Sequence, residues 1–164
     1  MNQDFRTGLG IDVHEFQPDK KLILGGVQIP NEKGLKGHSD ADVIVHSICD
    51  AIFGALCLGD IGIHFPDTDP KNKDADSMIF LLKAAELLIQ EQYSINNLDV
   101  MLTLQKPKIQ PYLTEMRENI SKVLNIELNQ ISIKATTTEK LGFVGREEGV
   151  VSFATVLIKK NPPL

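Results

Sequence analysis

Between residues 5 and 14 side-chain character alternates strictly. Leu9, Ile11 and Val13 fall on one side of an extended chain, and Gly8, Gly10, Asp12 and His14 on the other. Only a strand has that period. Asp12 and His14, two residues apart, therefore project from one face and can reach one ion. The glycines at 8 and 10 are expected to leave that face open. An Asp paired with a His suits a borderline cation such as zinc. A plain surface Asp and His near a strand end is the ordinary alternative, because so short a motif has many chance matches.

The rest of the 164-residue chain alternates between strand and helix patterns, which predicts one domain over residues 1–164. A hairpin is expected over 21–29, turning at Gly25-Gly26, followed by a mobile stretch from Asn31 to Gly37. Helices are predicted over 40–56, 77–92 and from Pro111 to near Asn125, and strands over 98–104, 131–137 and 150–159. In the second helix Ile79, Phe80, Leu82, Ala85, Leu87 and Ile89 make most of the face apolar. Residues 64–74 and 139–149 read as loops, and Asn161-Pro162-Pro163 as the end of the fold. The predicted class is α+β (α/β mixed), with helices packed on one face of a mostly four-stranded mixed sheet.

Seventeen Lys and Arg against 22 Asp and Glu leave a net charge of −5, which argues against a nucleic-acid binder needing a basic surface. It leaves room for a small phosphorylated ligand held by a metal, backbone N–H groups and a few lysines. No apolar run nears the roughly 20 residues of a membrane span. The start, Met1 to Arg6, lacks the pattern of a signal peptide. With Cys49 and Cys57 the only cysteines, a reducing compartment is expected. That compartment is the cytoplasm, or a plastid-type organelle for a chain whose targeting segment has been trimmed.

Four more constellations carry chemistry. Asp42, His46 and Asp50 recur every four residues and line one helical stripe. His46 can supply a third metal ligand, with Asp50 orienting it, or the stripe is simply a solvated face. Ahead of it, Gly37-His38-Ser39-Asp40 places Ser39 as N-cap, and the helix start offers N–H groups to a phosphate. Asp60-Ile61-Gly62 and Phe65-Pro66-Asp67-Thr68-Asp69 combine an aromatic, carboxylates and a hydroxyl, which suits a polyol or plain solvated turns. Lys134-Ala135-Thr136-Thr137-Thr138-Glu139-Lys140 ends a strand on three hydroxyls and a carboxylate, suited to phosphate and a second divalent ion.

Taken in order, these segments resemble the 2-C-methyl-D-erythritol 2,4-cyclodiphosphate synthase family. The likeness rests on G-x-D-x-H at 10–14, H-S-D-A-D at 38–42 with His46, G-D-I-G at 59–62, F-P-D-T-D-P at 65–70, Pro107-Lys108, K-A-T-T-T-E-K-L-G-F at 134–143 and G-R-x-E-G at 145–149. The resemblance implies closure of a cytidine-diphosphate substrate to a cyclic diphosphate with loss of CMP. It implies Zn2+ on Asp12, His14 and His46, and Mg2+ or Mn2+ on Glu139 with the substrate diphosphate. His38 and Thr137 would position the phosphates and stabilise the transition state, with Ser39, Ala135, Thr136 and Thr138 nearby. Asp60, Ile61, Gly62 and Phe65 to Asp69 would hold the methylerythritol. Leu104, Gln105, Lys106, Pro107, Lys108, Ile109 and Gln110 would enclose the cytosine.

The resemblance further implies a homotrimer with active sites between subunits. Phe143 and Arg146, with Glu148, resemble residues lining a central cavity that takes isoprenoid diphosphates. Two rival readings share these residues. A zinc phosphoesterase would activate water, and a non-catalytic isoprenoid-diphosphate binding trimer would have no need of two metal sites.

Overall fold

A computed structural model of the chain describes residues 4–162. Met1 to Gln3, and Pro163 of the expected terminal segment, lie outside the described residues. The strands are β1 (Phe5–Pro18), β2 (Leu22–Leu24), β3 (Val27–Ile29), β4 (Lys33–Leu35), β5 (Tyr93–Thr103), β6 (Ile131–Thr136) and β7 (Gly149–Lys160). The helices are α1 (Val43–Ala55), α2 (Ile61–His64), α3 (Met78–Gln90), α4 (Leu113–Leu124) and α5 (Gly142–Gly145).

The main sheet has five strands in the order β4-β1-β7-β5-β6, not four. Only β5 and β6 run parallel, joined by the α4 crossover; the other pairs are antiparallel. The uncounted strand is β4, inside the segment expected to be mobile. It holds three residues against the far end of β1, from Phe16 to Pro18, too short for its pattern to register. β5 also begins earlier than expected, at Tyr93, because an irregularity between Ile95 and Asn97 breaks its alternation.

The position of α1 follows from Gly8 and Gly10. A Cβ on Gly8 would lie 1.8 Å from the Ala51 carbonyl oxygen, and one on Gly10 would lie 1.9 Å from that of Ser47. Real side chains keep about 3.5–4.0 Å, so only glycine lets the helix backbone rest on the strand. The expected open face at these glycines is therefore filled. Ser47 and Ser152, both buried, bond through their hydroxyls at 2.8 Å and tie α1 to β7. Ile44, Ile48, Ile52, Phe53, Leu81, Leu98, Leu102, Met116 and Ile120 form the fully buried centre of the core. Each such side chain contributes about 1.5–3 kcal/mol on burial.

The opposite face of β1 and β7 is bare: Leu9 is 61 % exposed, and Ile11, Val13 and Phe153 are also open. α3 buries Phe80, Leu81, Ala84, Ala85 and Leu88 instead of the full apolar set expected. Ile79, Leu82 and Ile89 face outward, since a nearly all-apolar helix gives periodicity no side to prefer. The expected loop at 139–149 contains the short α5, and the one at 64–74 a 3-10 turn at Pro70–Asn72. Pro111 likewise stands in a 3-10 turn, Gln110–Tyr112, just before α4, and Asn125 in left-handed conformation ends that helix.

Candidate metal centre

The start of α1 differs from expectation in a way that matters to the site. Its N-cap is Asp42, whose carboxylate accepts from the N–H groups of Ile44 and Val45 and also from Gly25 and Gly26 of the β2–β3 turn. Gly25 and Gly26 both have positive φ, as a two-residue hairpin requires. One buried acid thus joins the hairpin to the helix. It also occupies N–H groups that a phosphate at the helix start would need. Ser39 cannot cap, because Ala41 at φ 58 turns the chain before the helix begins.

With α1 seated on the glycines, His46 meets the next residues of the same strand face. His46 Nδ1 lies 3.1 Å from Asp12 Oδ2, His14 Nε2 lies 2.9 Å from the same oxygen, and the two imidazole nitrogens are 3.3 Å apart. Among the described residues these three form a group whose ligand atoms all lie within 4.8 Å of one another. Burial raises the Asp12 carboxyl, but hydrogen bonds and charge from both histidines overcome it and hold the group well below the usual carboxylate range. Burial lowers His14, and Asp12 more than reverses this, so His14 titrates above an ordinary histidine.

The rear nitrogens show what the front ones are for. His14 Nδ1 donates to the Lys36 carbonyl at 2.7 Å, and His46 Nε2 lies 2.9 Å from the Ser77 hydroxyl. If each rear nitrogen holds its proton, both front nitrogens present lone pairs beside a carboxylate. Three acceptors about 3 Å apart repel one another without a cation among them. Around a tetrahedral ion with bonds of about 2.0–2.1 Å, ligand atoms stand about 3.3 Å apart. The donor set and its spacing fit a borderline divalent ion.

The centre opens into a cavity of about 270 Å³ that also includes Gly37, His38, Ser39, Ile61, Gly62, Phe65, Asp67, Asn72 and Phe80. His38 is exposed and stands 3.8 Å from Asp67. A neighbouring cavity of about 370 Å³ adds Thr68 and Asp69 with Lys20 and Lys73. Asp60 caps α2 through Ile63, and Asp69 caps the 3-10 turn through Lys71. Pro66 accepts from the Asn72 amide. Asp50 does not orient His46: it accepts from the Ile61 N–H at 2.7 Å and so anchors the Asp60-Ile61-Gly62 turn. Burial raises its carboxyl. Phe80, expected on the apolar face of its helix, packs against both Phe65 and His46. His64, left without a role by the motifs, stacks on Phe53 at 4.1 Å and bonds the Leu58 carbonyl.

The remaining expected residues gather elsewhere. A cavity of about 510 Å³ is lined by Leu104, Gln105, Pro107, Lys108, Ile109, Gln110, Leu113, Ala135, Thr136 and Thr137. Gln105 Oε1 is buried there without a partner. Lys106 points away, pairing with Glu147 at 3.1 Å beside another hollow. Glu139 accepts from the Thr137 hydroxyl at 2.9 Å, and Thr138 bonds the Leu141 carbonyl. Glu139 and Lys140 both have positive φ, a conformation that costs a non-glycine residue. Phe143 is 41 % exposed, and Arg146 spends two nitrogens on Glu148.

A small α+β chain with an Asp-His-His cluster at the mouth of a cavity is a candidate metal-dependent enzyme. The chain belongs to the YgbB family, whose model it matches over residues 5–159. It is 57 % identical over 156 residues to the 2-C-methyl-D-erythritol 2,4-cyclodiphosphate synthase of Chlorobaculum parvum, covering 95 % of this chain and 99 % of that one. The enzyme of the same name from Acinetobacter baumannii is 55 % identical over 158 residues, 96 % of this chain and 99 % of that protein. A solved Plasmodium falciparum IspF in complex with CDP superposes with a TM-score of 0.86 at 39 % identity, covering 99 % and 100 % of the two chains. The bifunctional IspDF of Campylobacter jejuni gives 0.93 at 45 % identity over 97 % of this chain, which spans 43 % of that longer protein.

Proposed function

We propose that this chain converts 4-diphosphocytidyl-2-C-methyl-D-erythritol 2-phosphate to 2-C-methyl-D-erythritol 2,4-cyclodiphosphate and CMP, in the non-mevalonate isoprenoid pathway. The observation that carries the reading is the Asp12-His14-His46 cluster, opening into a cavity that also holds His38, Ser39 and the Asp60-Ile61-Gly62 turn. The substrate's 2-phosphate oxygen attacks the β-phosphorus. The bond from that phosphorus to the CMP oxygen breaks, and CMP leaves with the electron pair. The nucleophile belongs to the substrate, so the protein's task is positioning and charge neutralisation.

A zinc ion on Asp12, His14 and His46, and magnesium or manganese on Glu139, would supply positive charge to the phosphate oxygens. His38 and the Ser39 hydroxyl donate from one side of the cavity, and Thr137 from the strand end beside Glu139. Asp60 and Asp67 accept from the polyol hydroxyls. The backbone of 104–110 suits the amino group of a cytosine.

The metal cavity and the cavity of Leu104 to Gln110 share no lining residue within one chain. A homotrimer that brings the metal centre of one copy to the base pocket of the next would join them. The bare faces of β1 and β7 would supply the contact between copies. A cytoplasmic location fits a chain in which, among the described residues, no helix is long and apolar enough to cross a membrane. Phosphorus NMR of the reaction with the cytidyl substrate tests the assignment. A cyclic diphosphate and CMP are expected; inorganic phosphate or open monophosphates would mark a hydrolase instead.

A further inference from the structure

We propose that Asp40 and Ser77 form a relay that holds His46 in the tautomer needed to bind the metal, making both of them positioning residues for the centre. The inference rests on the metal reading above. Ser77 stands at the N-cap of α3, where a serine hydroxyl ordinarily accepts from the helix's own N–H groups. Here it makes no such bond. Asp76 does that work, its Oδ1 accepting from the Met78 N–H at 2.9 Å. The Ser77 hydroxyl, 1 % exposed, is turned instead between His46 Nε2 at 2.9 Å and the Asp40 carboxylate, to which it donates.

Proton accounting gives the direction. A carboxylate only accepts, so the Ser77 proton goes to Asp40. The Ser77 oxygen must then accept from His46, which puts the imidazole proton on Nε2. Nδ1 is left with its lone pair, facing Asp12 and His14. The Ser39 hydroxyl is the other oxygen near Nε2, at 3.2 Å, and it also accepts from the Ala41 N–H. It is the longer of the two contacts, and the Ser39 oxygen also lies 3.5 Å from the Ser77 hydroxyl. Asp40 is fixed independently, since its second oxygen accepts from the Ser77 N–H at 3.1 Å and Oδ1 accepts from the Asp42 N–H. The relay therefore runs from the loop before α1, through the start of α3, to the metal face of α1. On the other side, the Lys36 carbonyl does the same for His14.

Removing such an outer partner ordinarily costs about 10–100-fold in metal affinity. Zinc binding by competition with a chromogenic chelator, on the full chain, reads this without any assay of turnover. Ser77→Ala keeps the Ser77 N–H bond to Asp40 and loses only the hydroxyl. It is expected to weaken zinc binding by about 10–100-fold. Ser77→Thr restores the hydroxyl and should recover most of that loss, and Asp40→Asn should fall between.

Imidazole nitrogen–proton NMR of the zinc-free wild type at alkaline pH, where no metal dictates the tautomer, supplies a signature that a merely structural role would not give. The proton is expected on Nε2 of His46 and on Nδ1 of His14. Should Ser77→Ala fail to fold, Asp40→Asn and this spectrum still decide. A His46 proton on Nδ1, or a Ser77→Ala variant that binds zinc as wild type does, overturns the relay. Wild-type protein that binds no zinc overturns the metal reading itself, and the relay with it.

Discussion

Gly10 lies directly beneath Ser47, so close that a Cβ on the glycine would stand 1.9 Å from the serine's carbonyl oxygen. The metal centre depends on this contact, because it sets the height of α1 above β1 and hence the reach of His46 to Asp12. Gly10→Ala would force the helix upward or twist the strand. Overpacking of this kind costs about 1–3 kcal/mol, occasionally more. The variant is expected to melt lower and to lose metal together with fold. Wild-type melting and full metal content in Gly10→Ala would show that the glycine is not the spacer.

The two proposed metals are expected to separate by mutation. Two imidazoles and a carboxylate should keep zinc through purification, whereas a lone Glu139 needs substrate phosphates to hold magnesium. His46→Ala is expected to empty the first site and abolish turnover. Glu139→Gln is expected to leave metal content unchanged while removing turnover. Elemental analysis paired with activity decides, and a Glu139→Gln protein without zinc would refute the division.

Protons and metal compete at His14. Its titration lies above that of an ordinary histidine, so in metal-free protein its pairing with Asp12 stabilises the fold fully below the unfolded histidine value. That contribution fades as pH rises through the raised one. Asp12, held low, contributes above the unfolded carboxylate value and loses its contribution only as pH falls through its lowered one. Zinc requires neutral imidazole, so its stabilisation runs the other way. The zinc-induced rise in melting temperature is expected to be larger at about pH 8 than at about pH 5.5. Equal rises would show that neither histidine exchanges a proton for metal.

A cytidine nucleotide is expected to bind well ahead of its uridine counterpart. The backbone of residues 104–110, all but Lys106 lining the cavity, offers N–H and C=O groups able to match a cytosine amino group, and uracil would leave such a group unpaired. An unpaired buried polar group costs about 1–3 kcal/mol. Calorimetry with CDP and UDP measures the gap, and equal affinities would remove the base from the cavity of Leu104 to Gln110.

Much of this was legible in the residues, and the failures have physical causes. Alternation alone put Asp12 and His14 on one face. Their meeting with His46 depends on the glycines, whose part is the reverse of the open face expected: an empty side chain looks like open space until a helix fills it. Asp50 shares a helical stripe with His46, yet one turn further along it meets the Ile61 N–H instead. Asp42 looked like the third residue of a helix because Ala41's turn is invisible in an alanine. Ser77 lies 31 positions from His46 and looked like the start of a helix. β4, only Lys33-Gly34-Leu35, is too short to resemble a strand.

The alternation of β1 has one more consequence. Val13 faces outward from the very residue that separates the two ligands Asp12 and His14, so their peptide units are shared by both faces of the strand. Anything that packs on the bare face presses on the spacing of the ligands, and a metal that fixes the ligands stiffens the surface offered on the other side. For copies of the chain that associate through this face with zinc bound behind it, any coupling must be reciprocal: whatever factor zinc adds to the association constant, association adds to the affinity for zinc.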